Sequence, residues 1–131
     1  MKAAFVGKFP QYVKWPGGGG SVTVGILGDD PFGSALGGSV RRSKKIEDLK
    51  GCQIIFISKS ERGNIGGILS SVAGTNVLTV GESEGFARQG GVIGFTLEGD
   101  KVRFEINLGA ARRNGLVIDP RLVGLAVRVI N

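Results

Sequence analysis

The chain has 131 residues, 41% of them hydrophobic and 21% charged, which suits one compact domain with one core and excludes a wholly disordered chain. Its 17 Lys and Arg against 11 Asp and Glu give a net charge of +6, but the cations are only loosely grouped and one Trp and one Tyr offer little stacking surface, which argues against nucleic acid as a partner. A single cysteine and no histidine exclude an internal disulfide, Ser-His-Asp or Cys-His machinery and a histidine metal site.

Phe5, Phe9, Tyr12 and Val13 recur at helical spacing and predict an opening helix with one apolar stripe, which Pro10 should kink or break near Phe9. Trp15-Pro16 ends that element, and Gly17 to Gly20 reads as a flexible connection. Ser21 to Leu27 is β-branched and almost continuously apolar, as expected of a strand covered on both faces of an α/β sheet. Asp29-Asp30-Pro31 then supplies a cap and a preorganised first residue for a short helix over Phe32 to Leu36, closed by Gly37-Gly38.

A second strand is expected through Val40 to Arg42, one helical turn over Ile46 to Leu49, and a buried strand from Cys52 to Ile57 whose thiol reads as inert. Ser60 is placed to cap a helix that lines up Ile65, Ile68, Leu69 and Val72 on one face. Gly74-Thr75-Asn76 turns into a strand over Val77 to Val80, and Ser83 to Arg88 reads as a further helical turn closed by Gly90-Gly91. Val92 to Leu97 and Val102 to Ile106, joined by Glu98 to Lys101, predict an antiparallel hairpin.

In the second hairpin strand Val102, Phe104 and Ile106 alternate with Arg103, Glu105 and Asn107, so one face is core and the other polar. Asn107 is placed to cap a helix from Leu108 to Arg113, ended by Asn114-Gly115. Asp119-Pro120 starts a final helix expected to turn Leu122, Leu125, Ala126 and Val129 inward. No repeat or linker is visible, so residues 1–131 read as a single domain.

Little of this carries chemistry. GILGDDPFG has glycines between a strand and a helix, but neither G-x-G-x-x-G nor G-x-x-x-x-G-K-[ST] occurs, and two carboxylates there would repel a phosphate. An acidic pair after the first strand is also found in response-regulator receiver domains, which need a phosphate-accepting Asp at the end of the third strand; here Cys52 to Ile57 runs into Ser58-Lys59-Ser60. Glu82 with Glu84, and Glu98 with Asp100, read as solvated surface. No nucleophile, base and orienter can be assembled, so no catalytic residue, no metal and no cofactor are expected. Gly63 to Gly81 is the longest uncharged stretch but carries too many polar residues for a membrane span, and Ala3 to Val6 is too short for the core of an export signal.

Trp15-Pro16, GDDPFG at Gly28 to Gly33, GCQIIFIS at Gly51 to Ser58, VLTV with GFARQGGVIGF at Val77 to Phe95, and VRFEINLGAARRNGL at Val102 to Leu116 together resemble the YfiR-like family of bacterial periplasmic proteins, over about Lys2 to Val129. The resemblance implies a non-enzymatic α/β domain exported to the periplasm, with the signal peptide outside this chain. It also implies a homodimer that restrains a membrane diguanylate cyclase, or another sensory protein, by binding its periplasmic region. Cyclic di-GMP output and biofilm formation would follow. The family's better-studied repressor has disulfides, for which Cys52 offers no partner here.

The expected fold is therefore a single three-layer α/β sandwich: a mixed, mostly parallel sheet flanked by helices, with a C-terminal antiparallel β-hairpin. Arg103, Glu105, Asn107 and Arg112 match the densest motif and are candidates for a partner or ligand contact. The plainer alternative is that Glu105 pairs with an arginine across the hairpin while Asn107 only caps a helix. Trp15 either lines a groove or packs in the core. The competing function is a periplasmic sensor domain whose pocket, near Trp15 and the Glu105 strand, takes an apolar or aromatic small molecule.

Overall fold

A computed structural model describes residues 2–17, 20–33 and 35–131. The opening helix α1 (Lys2–Lys8) gives way to a 3-10 turn at Phe9–Tyr12, where Pro10 sits in the first turn as its missing N–H requires. Val13 leaves the helical stripe and enters a two-residue strand, β1 (Val13–Lys14). Gly18 and Gly19 of the expected connection lie outside the described residues.

The main sheet begins with β2 (Thr23–Leu27), β3 (Ser39–Ser43) and β4 (Ile54–Ile57), with a 3-10 turn at Ile46–Leu49 between the last two. A second 3-10 turn, Lys59–Asn64, leads into α2 (Ile65–Val72), followed by β5 (Leu78–Gly81). The hairpin is β6 (Ile93–Glu98) and β7 (Lys101–Asn107), with Glu98 paired to Lys101, so its loop is Gly99-Asp100 alone. The chain closes with α3 (Leu108–Arg113), β8 (Val117–Ile118), α4 (Pro120–Val123) and β9 (Arg128–Ile130).

The seven-stranded sheet has the order β3-β2-β4-β5-β6-β7-β9. Neighbours from β3 to β6 are parallel, β6 and β7 antiparallel, and β7 and β9 parallel. A separate antiparallel ribbon joins β1 to β8. This is the expected mixed, mostly parallel α/β sheet with helices on its faces and an antiparallel hairpin near its C-terminal edge. All four residues of β4 are buried, which is why its apolar run is unbroken.

Helices cover the two faces unequally. On one, α1 with the 3-10 turn after it, α3 and α4 pack Val6, Phe9, Ala110, Ala111 and Leu122 over Ile26, Phe56, Val80 and Ile106. Phe5 and Phe9 meet Phe95 and Phe104 there, with ring centroids 5.5–6.1 Å apart in stacked, tilted and edge-on contacts. On the other face α2 sets Ile65, Ile68, Leu69 and Val72 as one stripe, joined by Leu49 and Phe86. Cys52 is buried in this second layer, and burial pushes its thiol pKa up, as the inert reading requires.

Four local expectations are corrected. Phe32 to Leu36 does not form a helix among its described residues, Ser34 lying outside them. The Asp30 carboxylate accepts from the N–H groups of Phe32 (2.8 Å) and Gly33 (3.3 Å), and Ala35 N–H closes a turn on Phe32 C=O. Ser58 rather than Ser60 caps the turn before α2, while the Ser60 hydroxyl accepts from the Asp29 N–H at 3.0 Å. Ser83 to Arg88 is a series of turns, because Gly85 at φ +74° breaks any helical run. The final helix stops at Val123, and residues 128–130 become a strand beside β7; Leu122 is buried as expected, but Leu125 and Val129 are exposed.

Phe86 is held by glycine. A β-carbon at Gly81 on the sheet or at Gly91 after the turns would overlap its ring, which is 1% exposed. Phe86→Ala is therefore expected to lower stability by about 3–5 kcal/mol, the usual cost of emptying an aromatic site. Leu125→Ala, despite the helical pattern, should stay within about 0.5 kcal/mol, as surface changes do; urea unfolding of both variants checks the contrast.

Candidate functional site

The alternation read from β7 holds: Phe104 and Ile106 enter the helix-covered core, and Arg103, Glu105 and Asn107 share the opposite face. Glu105 is an ion-pair centre. Its carboxylate receives Arg128 Nε at 3.2 Å, from the register partner on β9, and Arg88 Nη2 at 3.5 Å, from the turns after β5. The Glu105 side chain is 12% exposed and both arginines 59%, so the surface presented to solvent is positive. Arg103, two residues back, adds a cation whose Nε is buried without a hydrogen-bond partner.

Glu105 thus pairs with arginines, but not across the hairpin, where the residue opposite it is Gly94. Asn107 is 8% exposed and fully employed: its oxygen caps α3 through the Ala110 N–H at 2.9 Å, and its amide donates to Ala87 C=O at 2.8 Å. Arg112 stands exposed in the last turn of α3 and makes no ion pair among the described residues. The structure therefore gathers Arg103, Glu105 and Asn107, leaves Arg112 apart, and adds Arg88 and Arg128. The sequence does not reveal those two, because Arg88 and Arg128 both fall in stretches that read as helical, where no register with Glu105 is visible.

Trp15 is half-buried against the helix-side core and donates its indole N–H to Gln53 C=O at 3.2 Å. With Pro10, Val13, Pro16, Val22 and Gln53 it lines an open groove of about 630 Å³ at the N-terminal ends of β2 and β4. Glu105 does not line this groove; its strand lies three places along the sheet from β4, with the Glu105 side chain on the other face. A single pocket formed by Trp15 and the Glu105 strand is not built.

A third cluster sits where the strand order reverses, at the C-terminal ends of β2 and β4, the usual ligand crevice of open parallel sheets. Asp29, Asp30, Ser58, Lys59, Arg62 and Glu82 border it. Asp30 receives Arg42 Nε at 2.6 Å in addition to its two backbone donors. Burial works to raise its pKa, but the Arg42 bond and charge and those N–H groups outweigh it, and the net direction is down.

Glu82 corrects the sequence reading most sharply, since its side chain is only 7% exposed and not solvated. It accepts from Lys2 Nζ at 2.9 Å and from the Lys59 N–H at 3.0 Å. Burial again raises its pKa, while the Lys59 N–H and the bond and charge of Lys2 more than reverse this, leaving it below the ordinary glutamate value. These carboxylates act as clamps between α1, the 3-10 turn and the strand ends. No group of three or more metal-ligating side chains occurs among the described residues.

The model of the YfiR/HmsC-like family matches residues 1–127, and the chain belongs to that family. Two solved structures share the fold at a TM-score of 0.64. One is the ABC domain in complex with L-Trp from Streptococcus pneumonia, 12% identical over 84% of this chain and 57% of that one. The other is a conserved domain protein from Vibrio cholerae O1 biovar eltor, 11% identical over 98% of this chain and 58% of that one. The chain thus spans less than three fifths of either, and no curated protein matches it. No helix among the described residues is long and apolar enough to cross a membrane.

A depressed folded-state pKa at Glu82 stabilises the fold above the unfolded-state value, and that contribution is lost as pH falls through the folded value. Urea unfolding followed downward from neutral pH should show stability falling through the acidic range. Glu82→Gln should be less stable than the parent at neutral pH and flatter in its acid dependence; an unchanged slope would remove Glu82 as a contributor.

Proposed function

We infer, from the family to which the chain belongs, that it is a regulator of diguanylate cyclase signalling that works by protein contact rather than by catalysis. In this reading it is a periplasmic homodimer that restrains a membrane-bound cyclase through that enzyme's periplasmic region, with cyclic di-GMP output and biofilm formation downstream. The family match over residues 1–127 carries the reading. The polar face of β7 supports it, because this face offers charged groups for recognition.

Arg103 and Glu105, with Arg88 and Arg128, are the proposed contact. Asn107 holds α3 at the end of that strand, and Arg112, exposed on the same helix, stands outside the contact. Regulation requires that the partner, or a stimulus, binds two states of this domain with different affinity. A second reading, a small-molecule sensor, is favoured by the Trp15 groove, whose ring and prolines suit an apolar or aromatic ligand.

Isothermal titration against the periplasmic segment of a membrane diguanylate cyclase separates the two. The regulatory reading expects saturable binding, weakened about tenfold or more by the Arg103→Ala, Glu105→Ala pair in a variant that still melts cooperatively, as loss of an interface charge cluster does. Trp15→Ala should leave that affinity unchanged. No binding at high concentration, together with a melting temperature raised by an aromatic metabolite, would favour the sensor instead.

A further inference from the structure

The two edges of the main sheet are guarded differently. β3, at one end, reads Ser-Val-Arg-Arg-Ser; its Arg42 is tied to Asp30 and Gly33 C=O, and Arg41 to Lys50 C=O, so charged side chains occupy that edge. β9, at the other, has β7 on its inner side and no strand on its outer side among the described residues. Its flanking and internal valines remain in solvent, Val127 at 45% and Val129 at 39%, continuing an exposed strip from Leu125 at 64%. An edge with open backbone groups and apolar side chains is a template for another strand.

Register fixes what such a strand would meet. Val129 pairs with Ile106 and so lies on the helix-covered side, while Arg128 pairs with Glu105 on the polar side. Asn107 N–H is directed to β6, at Val92 C=O 2.8 Å away, so the backbone of Ile106 faces β9; with Ile106 opposite Val129, Arg128 and Ile130 turn their backbone groups inward and the N–H of Val129 faces outward. On the polar side Arg128, Arg88 and Arg103 outnumber Glu105, and the Nε of Arg103 is buried without a partner. A second copy of this chain complements the edge poorly. Pairing β9 with β9 brings arginine to arginine, and pairing it with β3 brings Arg41 and Arg42.

We propose that the outer edge of β9 receives an extended segment of a partner protein in which acidic residues alternate with apolar ones, adding an eighth strand to the sheet. The apolar residues cover Val127 and Val129, and the carboxylates meet Arg128, Arg103 and Arg88. This deepens the protein-contact reading and rests on it for its biological role, but its chemistry is testable without a cyclase.

The probe is a fluorescein-labelled peptide alternating glutamate with valine, with a lysine-valine peptide of equal length as control, followed by fluorescence anisotropy on the whole chain. The glutamate peptide should bind at least about tenfold more tightly than the lysine peptide. Val129→Pro removes the outward N–H at an edge position where proline is tolerated, and should abolish binding. Arg128→Ala keeps that N–H and should weaken binding about threefold to tenfold, so the comparison stands even if the proline variant fails to fold. Equal binding of the two peptides, or none of either, would overturn the proposal, as would a dimer in sedimentation that Val129→Pro converts to monomer. A cyclase segment that binds parent and Val129→Pro alike would sink the edge proposal and leave the regulatory reading standing. Peptide binding with the expected variant losses but no cyclase contact would do the reverse.

Discussion

The ring of Phe86 lies against Gly81 and Gly91 with no room for a β-carbon at either, and the second face of the sheet is closed by that contact. α2 is only eight residues long and cannot cover seven strands. Phe86 therefore draws the segment between β5 and β6 onto the sheet, and burying a phenylalanine in this way contributes on the order of 1.5–3 kcal/mol. The segment delivers polar groups at both ends. Before the ring, Glu82 reaches Lys2 and the Lys59 N–H; after it, Ala87 C=O receives Asn107 and Arg88 reaches Glu105. One aromatic contact thus couples the strand-end crevice to the polar face of β7.

The asymmetry of cover follows. Three helices and the phenylalanine cluster seal one face, while on the other the apolar layer ends near Phe86 and Val72. Beyond it the sheet turns polar at β7 and β9, where arginines crowd around one largely covered carboxylate. Such exposed pairs add little to stability, commonly under about 1 kcal/mol. Their value lies in the charge pattern they present, which can select a partner of opposite sign and speed its approach. In a regulator that works by contact, this uncovered end is the surface the fold leaves available.

The parallel strands were legible because burial on both faces writes continuous apolar runs, as in IIFI of β4, and the hairpin because β7 alternates strictly. Asn107 as a cap was legible from its place before an alanine-rich helix. What escaped depends on contacts distant in sequence. Nothing near Glu82 indicates that Lys2 and the Lys59 N–H will enclose it. Leu122, Leu125, Ala126 and Val129 fit a helix, but pairing with β7 satisfies backbone groups that a frayed final helix would leave open, and the strand wins at 128–130. The Trp15 groove was legible only as an aromatic beside a proline; its separation from Glu105 is a fact of strand order.

In the proposed regulator the positive end of the sheet, not the Trp15 groove, meets the partner. Hydrogen exchange of the whole chain with and without the periplasmic segment of a membrane diguanylate cyclase tests it most directly, since exchange reports backbone groups newly held by a neighbour. Slowed exchange concentrated at residues 101–107 and 126–130, with the turns at 83–91, is the expected footprint. Protection confined to residues 13–22 and the start of β4, with the sheet end unchanged, would contradict it.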